Sequence, residues 1–430
     1  GQLGGRVAVS GSVGADGDDL VLQARISEFG GQLRGYPVQA GGVIDLADGD
    51  VAARELAVSS GPNRVRVDGR AGATFDLRFD IEAPDLASLY PGLNGALAGS
   101  GRLEGTPQVP LLVASLDGRS VAFEAMRADD LKLDVDWGEN GGRGALRIGG
   151  LVASGVEMDN LLLNLGGTPE AHRLDVNASG PQVDVTLAAQ GGVIDRAWRG
   201  RLSELMLAQP QLGEWRLQKA FELQLAADDV RASRLCMVQG NAQLCAEGGW
   251  NAAKGVDLIG GLRGIDLARL NEFLPGEATI EGNLTGDFKL SGNPDNPRAT
   301  LELRPSDGVL RVATDLDLLE FAYRNARVSA RFADDRGDLD LGFELGPNGR
   351  AGGQMKLGSE QGGRRSISGR VDADFPDLGL VAGFVPALQE VKGGLHVDAA
   401  LSGDTVTPRI VGEVVIANAS ARIAAAGIQL

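Results

Sequence analysis

The chain has 430 residues and a formal net charge of −17, from 41 Lys and Arg against 58 Asp and Glu. Hydrophobic residues make up 43% and charged residues 23%; this is too apolar for a disordered chain, and no basic stripe is present of the kind that nucleic-acid binding requires. With 64 glycines, each costing about 1 kcal/mol relative to alanine in a helix interior, an all-helical fold is excluded, and the missing G-X-Y period excludes collagen.

From the amino terminus onward, runs of strict alternation predict strands with one apolar and one polar face. A hairpin at Asp16-Gly17 would place Val13 opposite Leu20, Val9 opposite Ala24 and Val7 opposite Ile26. One at Asp48-Gly49 would pair Leu46 with Val51 and Ile44 with Ala53. The stretches Phe75 to Ile81 and Leu131 to Trp137 alternate without a break, and a turn at Asn140-Gly141 would set Val135 against Leu146 and Leu133 against Ile148. Val183 to Leu187 and Leu339 to Leu345 repeat the pattern. Each turn brings apolar residues opposite apolar ones, which is the condition for an antiparallel meander. At about 12–15 residues per strand and turn, the chain holds roughly 30 strands.

Cys236 and Cys245 flank Gly240-Asn241. With those two residues as a type II′ loop, the cysteines face each other as a non-hydrogen-bonded pair, whose Cα atoms lie near 4.5 Å, within reach of a disulfide. The reading is a disulfide in an oxidising compartment; two buried free thiols are the alternative.

A composite unit recurs. Leu97, Gly99, Leu103, Gly105, Pro107 and Pro110 match Leu284, Gly286, Leu290, Gly292, Pro294 and Pro297 position for position, and Leu395, Leu401, Gly403 and Pro408 form a third copy. A fragment appears at Leu165, Gly167, Thr168, Pro169 and Leu174. Upstream of each full copy lies a short helical candidate that begins at an Asp suited to N-capping and ends at a proline: Asp85 to Pro91, Asp266 to Pro275 and Asp377 to Pro386. The unit divides one elongated segment, 1–430, into sub-blocks of about 1–94, 95–281 and 282–430.

Several stretches together carry a family resemblance: Gly167 to Leu174, Ala197 to Leu202, Glu214 to Leu217, the cysteine hairpin running into Trp250, and Leu274 to Leu284. The chain resembles the translocation and assembly module TamB family, in the AsmA-like group of bridge-like lipid-transfer proteins of bacterial envelopes. The resemblance implies an all-β fold: one long antiparallel sheet rolled into a β-taco groove with an apolar lumen, plus a few short helices. It implies a periplasmic segment carrying phospholipid acyl chains between inner and outer membrane, or alternatively a scaffold for outer-membrane β-barrel assembly or secretion. It further implies an inner-membrane anchor and a carboxy-terminal domain outside this stretch, and a TamA-like outer-membrane barrel as partner.

Alternation by itself names candidates for the inward face: Leu133, Val135, Leu163, Val185, Leu187, Leu301, Leu303 and Leu401. Charge at Val185 is expected to block lipid passage, and charge at Asp184 to do little. Trp137, Trp198, Trp215 and Trp250 read as core or rim residues. No G-x-S-x-G elbow or P-loop occurs, and Gly99-Ser-Gly101 to Gly105 sits between strands with no helix to follow, so it reads as a turn. Asp16, Asp18 and Asp19, and Asp334, Asp335 and Asp338, are acidic clusters that lack EF-hand spacing. Neither enzyme activity nor a cofactor is expected.

Overall fold

The computed structural model describes residues 2–13, 20–47, 50–107, 109–273, 278–313, 318–346, 349–378, 388–423 and 428–429. Thirty strands belong to one antiparallel sheet, as the alternation predicts. Two compact units divide the chain, Gly1–Glu214 and Trp215–Leu430.

The first unit is a plain meander. Its strands are β1 (Gln2–Val13), β2 (Leu20–Leu33), β3 (Tyr36–Ala47), β4 (Asp50–Ser60), β5 (Asn63–Ala71), β6 (Phe75–Ala83), β7 (Leu93–Gly105), β8 (Pro110–Phe123), β9 (Met126–Gly138), β10 (Gly141–Ala153), β11 (Val156–Gly167), β12 (His172–Ser179), β13 (Asp184–Ile194) and β14 (Ala197–Gln209). The next strand, β15 (Gly213–Leu217), spans the division. The second unit continues with β16 (Phe221–Leu225), β17 (Asp229–Gln239), β18 (Ala242–Asn251), β19 (Gly255–Asp266), β20 (Ala278–Glu281), β21 (Asn283–Gly292), β22 (Arg298–Pro305), β23 (Gly308–Ala313), β24 (Leu318–Ala333), β25 (Arg336–Leu345), β26 (Gly349–Gln361), β27 (Arg364–Phe375), β28 (Leu388–Gly403), β29 (Pro408–Ile423) and β30 (Ile428–Gln429). Extensive contacts between elements join sheet neighbours, or a short 3-10 turn to an adjoining strand. Neither unit has a second layer among its described residues. No described helix is long and apolar enough to cross a membrane.

The first two hairpins have the anticipated register: Val13 pairs with Leu20, Val9 with Ala24 and Val7 with Ile26, and Leu46 with Val51 and Ile44 with Ala53. Their tips, 14–19 and 48–49, lie outside the described residues. The third differs. Gly138 pairs with Gly141, so the two-residue loop is Glu139-Asn140, and Leu133 faces Leu146 while Val135 faces Gly144. The cause is Gly141, whose φ of +98° suits a strand start where a Cβ would come within 2.3 Å of the Gly167 carbonyl oxygen. A shift of two preserves parity, so the apolar residues stay on one face.

The composite repeat is a repeated loop. Gly105, Gly167, Gly292 and Gly403 each end a strand at positive φ, and a Cβ on any of them would meet a loop carbonyl oxygen at 2.3–2.4 Å. The side chain of the following residue then caps the loop. Thr106 accepts from the Val109 N–H at 3.1 Å, Thr168 from Ala171 at 3.1 Å, Asn293 from Asn296 at 2.9 Å and Asp404 from Thr407 at 2.7 Å. These are Asx- and ST-type turns.

In each unit the sheet order places its two loops on one edge, called here the loop edge, and the Asp-Leu turns on the other, the turn edge. Two of the expected helices are shorter and tighter than α-helix: Leu86–Ser88 and Leu267–Phe273 are 3-10 segments; the third candidate, past Leu378, lies outside the described residues. Asp266 caps its turn through the Ala268 N–H at 3.0 Å. Asp85 does not cap with its side chain. Its carbonyl instead accepts from Asn63 Nδ2 at 2.8 Å and Ser88 Oγ at 2.9 Å, and its N–H donates to Asn63 Oδ1 at 3.0 Å. Leu86, Leu267 and Leu378 are buried in all three turns, so the leucine after the Asp is the anchor of the motif.

Candidate functional site

In the first unit, register carries one row of side chains across thirteen consecutive strands, β2 to β14. It runs Phe29, Ala40, Val58, Val65, Ile81, Gly99, Leu116, Leu133, Leu146, Leu163, Val176, Leu187 and Leu205. No member is polar. The flanking rows repeat this composition: Leu131, Ile148, Leu161, Ala178, Val185 and Leu207 on one side, and Phe79, Gly101, Ala114, Val135, Gly144, Leu165 and Leu174 on the other. At about 4.8 Å per strand, the central row is roughly 60 Å long.

The second unit has its own row: Leu235, Ala246, Gly260, Phe288, Leu301, Ala330, Leu339, Met355, Gly369, Leu401 and Ile410. Leu303 lies two residues away on the same face, between Gly286 and Val328. Thus Leu133, Val135, Leu163, Val185 and Leu187 share one face of the first unit, and Leu301, Leu303 and Leu401 one face of the second.

Most of these side chains are half-buried although no described element is stacked on them. The bulkiest members of the inner rows are laid flat over glycine. A Cβ on Gly101 would stand 2.4 Å from the Phe79 ring, and one on Gly260 2.3 Å from the Phe288 ring. The pairing lets a ring cover bare backbone, and it keeps the row free of upright aromatics. Sequence reading missed these pairs, because the partners are about twenty or more residues apart.

The opposite faces are charged. In the first unit Arg64, Glu82, Asp117, Lys132 and Arg147 fall in one row. A cavity of about 1070 Å³ is lined by Arg78, Arg102, Arg143 and Arg173 and by the row of Ser115, Asp134 and Asp175. Its lining also takes in Phe79, Ala114, Val135 and Leu165 of the flanking apolar row. Arg173, hydrogen-bonded to Asp175, holds that carboxyl below the usual range.

The disulfide joins Cys236 and Cys245 at a Cα separation of 4.1 Å, in the anticipated pairing and with Gly240 at φ +55°. It sits in the polar-face row with Gly261, Asp287 and Glu302. No described group of His, Cys, Asp and Glu has the makings of a metal site. Of the acidic clusters, Asp335 takes the Glu360 N–H and the Arg365 guanidinium, which depress its pKa, and Asp334 pairs with Arg298. Asp16, Asp18 and Asp19 lie outside the described residues.

The loop edge of the apolar face carries aromatics. Trp137 falls in the row of Leu112, Gly142, Gly167, His172 and Gly191. Trp198 folds its ring over Gly191 and Gly200 and donates Nε1–H to His172 Nε2 at 2.8 Å. In the second unit Trp250 falls in the row of Val256 and Gly292.

One long antiparallel sheet is the architecture the family resemblance implied. The family described as TamB, N-terminal domain, matches residues 1–416. The chain belongs to the TamB family. Among curated relatives, it is 22% identical over 305 residues to the translocation and assembly module subunit TamB of Haemophilus influenzae (strain ATCC 51907 / DSM 11121 / KW20 / Rd), covering 68% of this chain and 22% of the relative. The chain therefore spans less than a quarter of the length of that TamB relative. No solved structure matches it.

Proposed function

We propose that this TamB-family chain supplies a hydrophobic groove along which phospholipid moves between the inner and outer membranes, as a periplasmic segment of an envelope assembly. The observation that carries the proposal is the thirteen-strand apolar row with no layer over it among the described residues. Contiguous exposed apolar surface beyond a few hundred Å² marks an interaction site, and a face roughly 60 Å long at ~4.8 Å per strand exceeds any single drug-sized ligand. Rolling the sheet about its apolar face would shelter acyl chains while the charged face meets water. Aliphatic rows with rings lying flat over glycine offer a smooth path without discrete pockets. The name of the Haemophilus relative, a translocation and assembly module subunit, accords with an outer-membrane barrel of the TamA-like type as partner.

The test is native mass spectrometry of gently purified chain, wild type against Val185→Asp on the apolar face and Thr186→Asp on the polar one. Co-purifying phospholipid is expected in wild type and in T186D, and is expected to be largely lost in V185D while circular dichroism stays unchanged. Folded wild-type protein free of lipid would overturn the reading.

A second reading, assembly of barrel strands, draws on β29. Ile410, Val411, Val414 and Ile416 are 59–71% exposed, and among the described residues the strand's outer side is paired only at Arg422 and Ile423. An apolar edge of this kind accepts an extended segment by main-chain pairing. Disulfide trapping between a cysteine at Val414 and client barrel strands would support it, and absence of any adduct would remove it.

A further inference from the structure

We propose that in each unit the loop edge of the apolar face is the line along which the phosphate-bearing headgroup of a bound lipid lies, with Trp137 and Trp198 as the interfacial residues of the first unit and Trp250 as that of the second. The inference rests on the phospholipid reading above and adds an orientation to it. Across the apolar face polarity changes in one direction. The central rows are aliphatic, and the row through Trp137 and His172 at the loop edge brings in indole, imidazole and bare glycine backbone. Trp is enriched where an apolar environment meets a wet one, because its ring is apolar and its N–H needs a partner.

Three of the four tryptophans stand at this edge. Trp137 and Trp250 occupy equivalent places, each in a row that reaches the glycine of a capped loop two strands on, Gly167 and Gly292 respectively. Their hairpins match as well: a Cβ on Gly141 or Gly255 would run into the carbonyl of that same loop glycine, at 2.3 and 2.1 Å. Among the described residues, neither Trp137 nor Trp250 gives its indole N–H to the protein, whereas Trp198 gives its own to His172. Two donors are thus left over at the rim of an apolar surface. Beside them, Arg196 and Lys254 are exposed at hairpin tips of this edge; Arg196 makes no ion pair among the described residues, and Lys254 feels the Asp229 carboxylate without a salt bridge to it, which suits an anionic phosphate.

The turn edge is more fully engaged: its exposed Arg34 stacks over the Tyr90 ring at 5.8 Å and donates to the Leu89 carbonyl at 3.0 Å. Its leucine anchors are buried, Asn63 and Ser88 satisfy one another, and the Tyr323 hydroxyl donates to the Glu281 carbonyl at 2.7 Å.

The experiment uses the chain with single tryptophans retained, the others replaced by Phe, and phosphatidylcholines carrying a nitroxide on the headgroup or at mid-chain. A central-row reporter, L146W in the tryptophan-free background, is the control. Headgroup nitroxide is expected to quench Trp137, Trp198 and Trp250 at least about twofold more than mid-chain nitroxide, with the reverse order at L146W. Equal or reversed quenching at the three rim positions, with L146W still quenched by the mid-chain label, would overturn the headgroup line and leave the lipid reading standing. No quenching at any position would overturn the lipid reading itself. A second measurement needs no substitution. Photo-crosslinking of wild-type chain with a headgroup-diazirine phospholipid is expected to label 194–198 and 250–255 in preference to 86–90, and the opposite preference would sink the assignment.

Discussion

Trp198 and His172 are joined by a single hydrogen bond whose direction settles the imidazole tautomer. The indole N–H can only donate, and it meets His172 Nε2 at 2.8 Å. The other ring nitrogen lies 3.0 Å from the Thr168 carbonyl oxygen, which can only accept. Both bonds exist together only with the proton on Nδ1 and none on Nε2. His172 thereby ties a capped loop to β14. Replacing it by Phe removes both bonds and is expected to cost about 1–2 kcal/mol, while His172→Gln, which keeps a donor and an acceptor, should recover part of that. Thermal unfolding measures the loss, and exchange of the Trp198 indole proton by NMR locates it. Unchanged indole exchange in H172F would refute the link.

Two glycines on the apolar face of the first unit should respond oppositely to alanine. Gly167 has φ +128°, and a Cβ there would lie 2.3 Å from the Ala171 carbonyl oxygen and 2.7 Å from the His172 Cα. Both are backbone atoms with little freedom to retreat, so Gly167→Ala is expected to destabilise by about 1–3 kcal/mol. At Gly144 the nearest contact would be Leu165 Cβ at an ordinary 3.9 Å, and alanine there removes backbone entropy from the unfolded chain. Gly144→Ala should therefore be neutral or stabilising by up to about 1 kcal/mol. Denaturant midpoints of the two variants decide the point, and equal shifts would contradict it.

Whatever depends on local parity was legible in the residues. Val7 against Ile26 and Cys236 against Cys245 both follow from counting outward from a two-residue loop. Counting failed at Asn140-Gly141, where a positive-φ glycine opens the strand instead of closing the turn. Alternation named the eight candidates for the inward face, yet their alignment into rows was not legible, because bulges such as that between Ala188 and Ala189 reset the count in ways composition does not announce. The recurrent glycines were visible, but their purpose was not. A Cβ clash with the carbonyl four residues on belongs to the folded loop, and so does the capping role of Thr106, Asn293 and Asp404 that follows it.

The disulfide lies on the polar face, so its loss should separate stability from lipid handling. Closing so short a loop contributes about 2–3 kcal/mol in the chain-entropy model. The double variant C236S/C245S is expected to speed amide exchange in β17 and β18, to leave β9 to β11 unchanged, and to bind phospholipid as wild type does. Hydrogen exchange read by mass spectrometry checks the first two, and native mass spectrometry the third. Lipid loss without unfolding would place the sulfurs on the wrong face.

Asp404 should make one capped loop sensitive to acid where its relatives are not. Its Oδ1 accepts from the Val406 N–H at 2.8 Å, the Thr407 N–H at 2.7 Å and the Thr407 hydroxyl at 3.0 Å. The backbone N–H of Thr407, then that of Val406, are the main causes that hold its carboxyl below the usual range. The folded pKa is depressed, so the contribution is fully present above the unfolded value near 3.9 and is lost as pH falls through the folded pKa. Near neutral pH the loop is insensitive to pH. The Thr407 amide shift is expected to titrate with its inflection below about 3.9 in wild type and to lose that inflection in Asp404→Asn. Asparagine keeps the cap, since Asn293 already plays that part in the second unit. The loops capped by the hydroxyls of Thr106 and Thr168 carry no titrating cap and should show no such step. An identical inflection in D404N would mean that another carboxylate governs the loop.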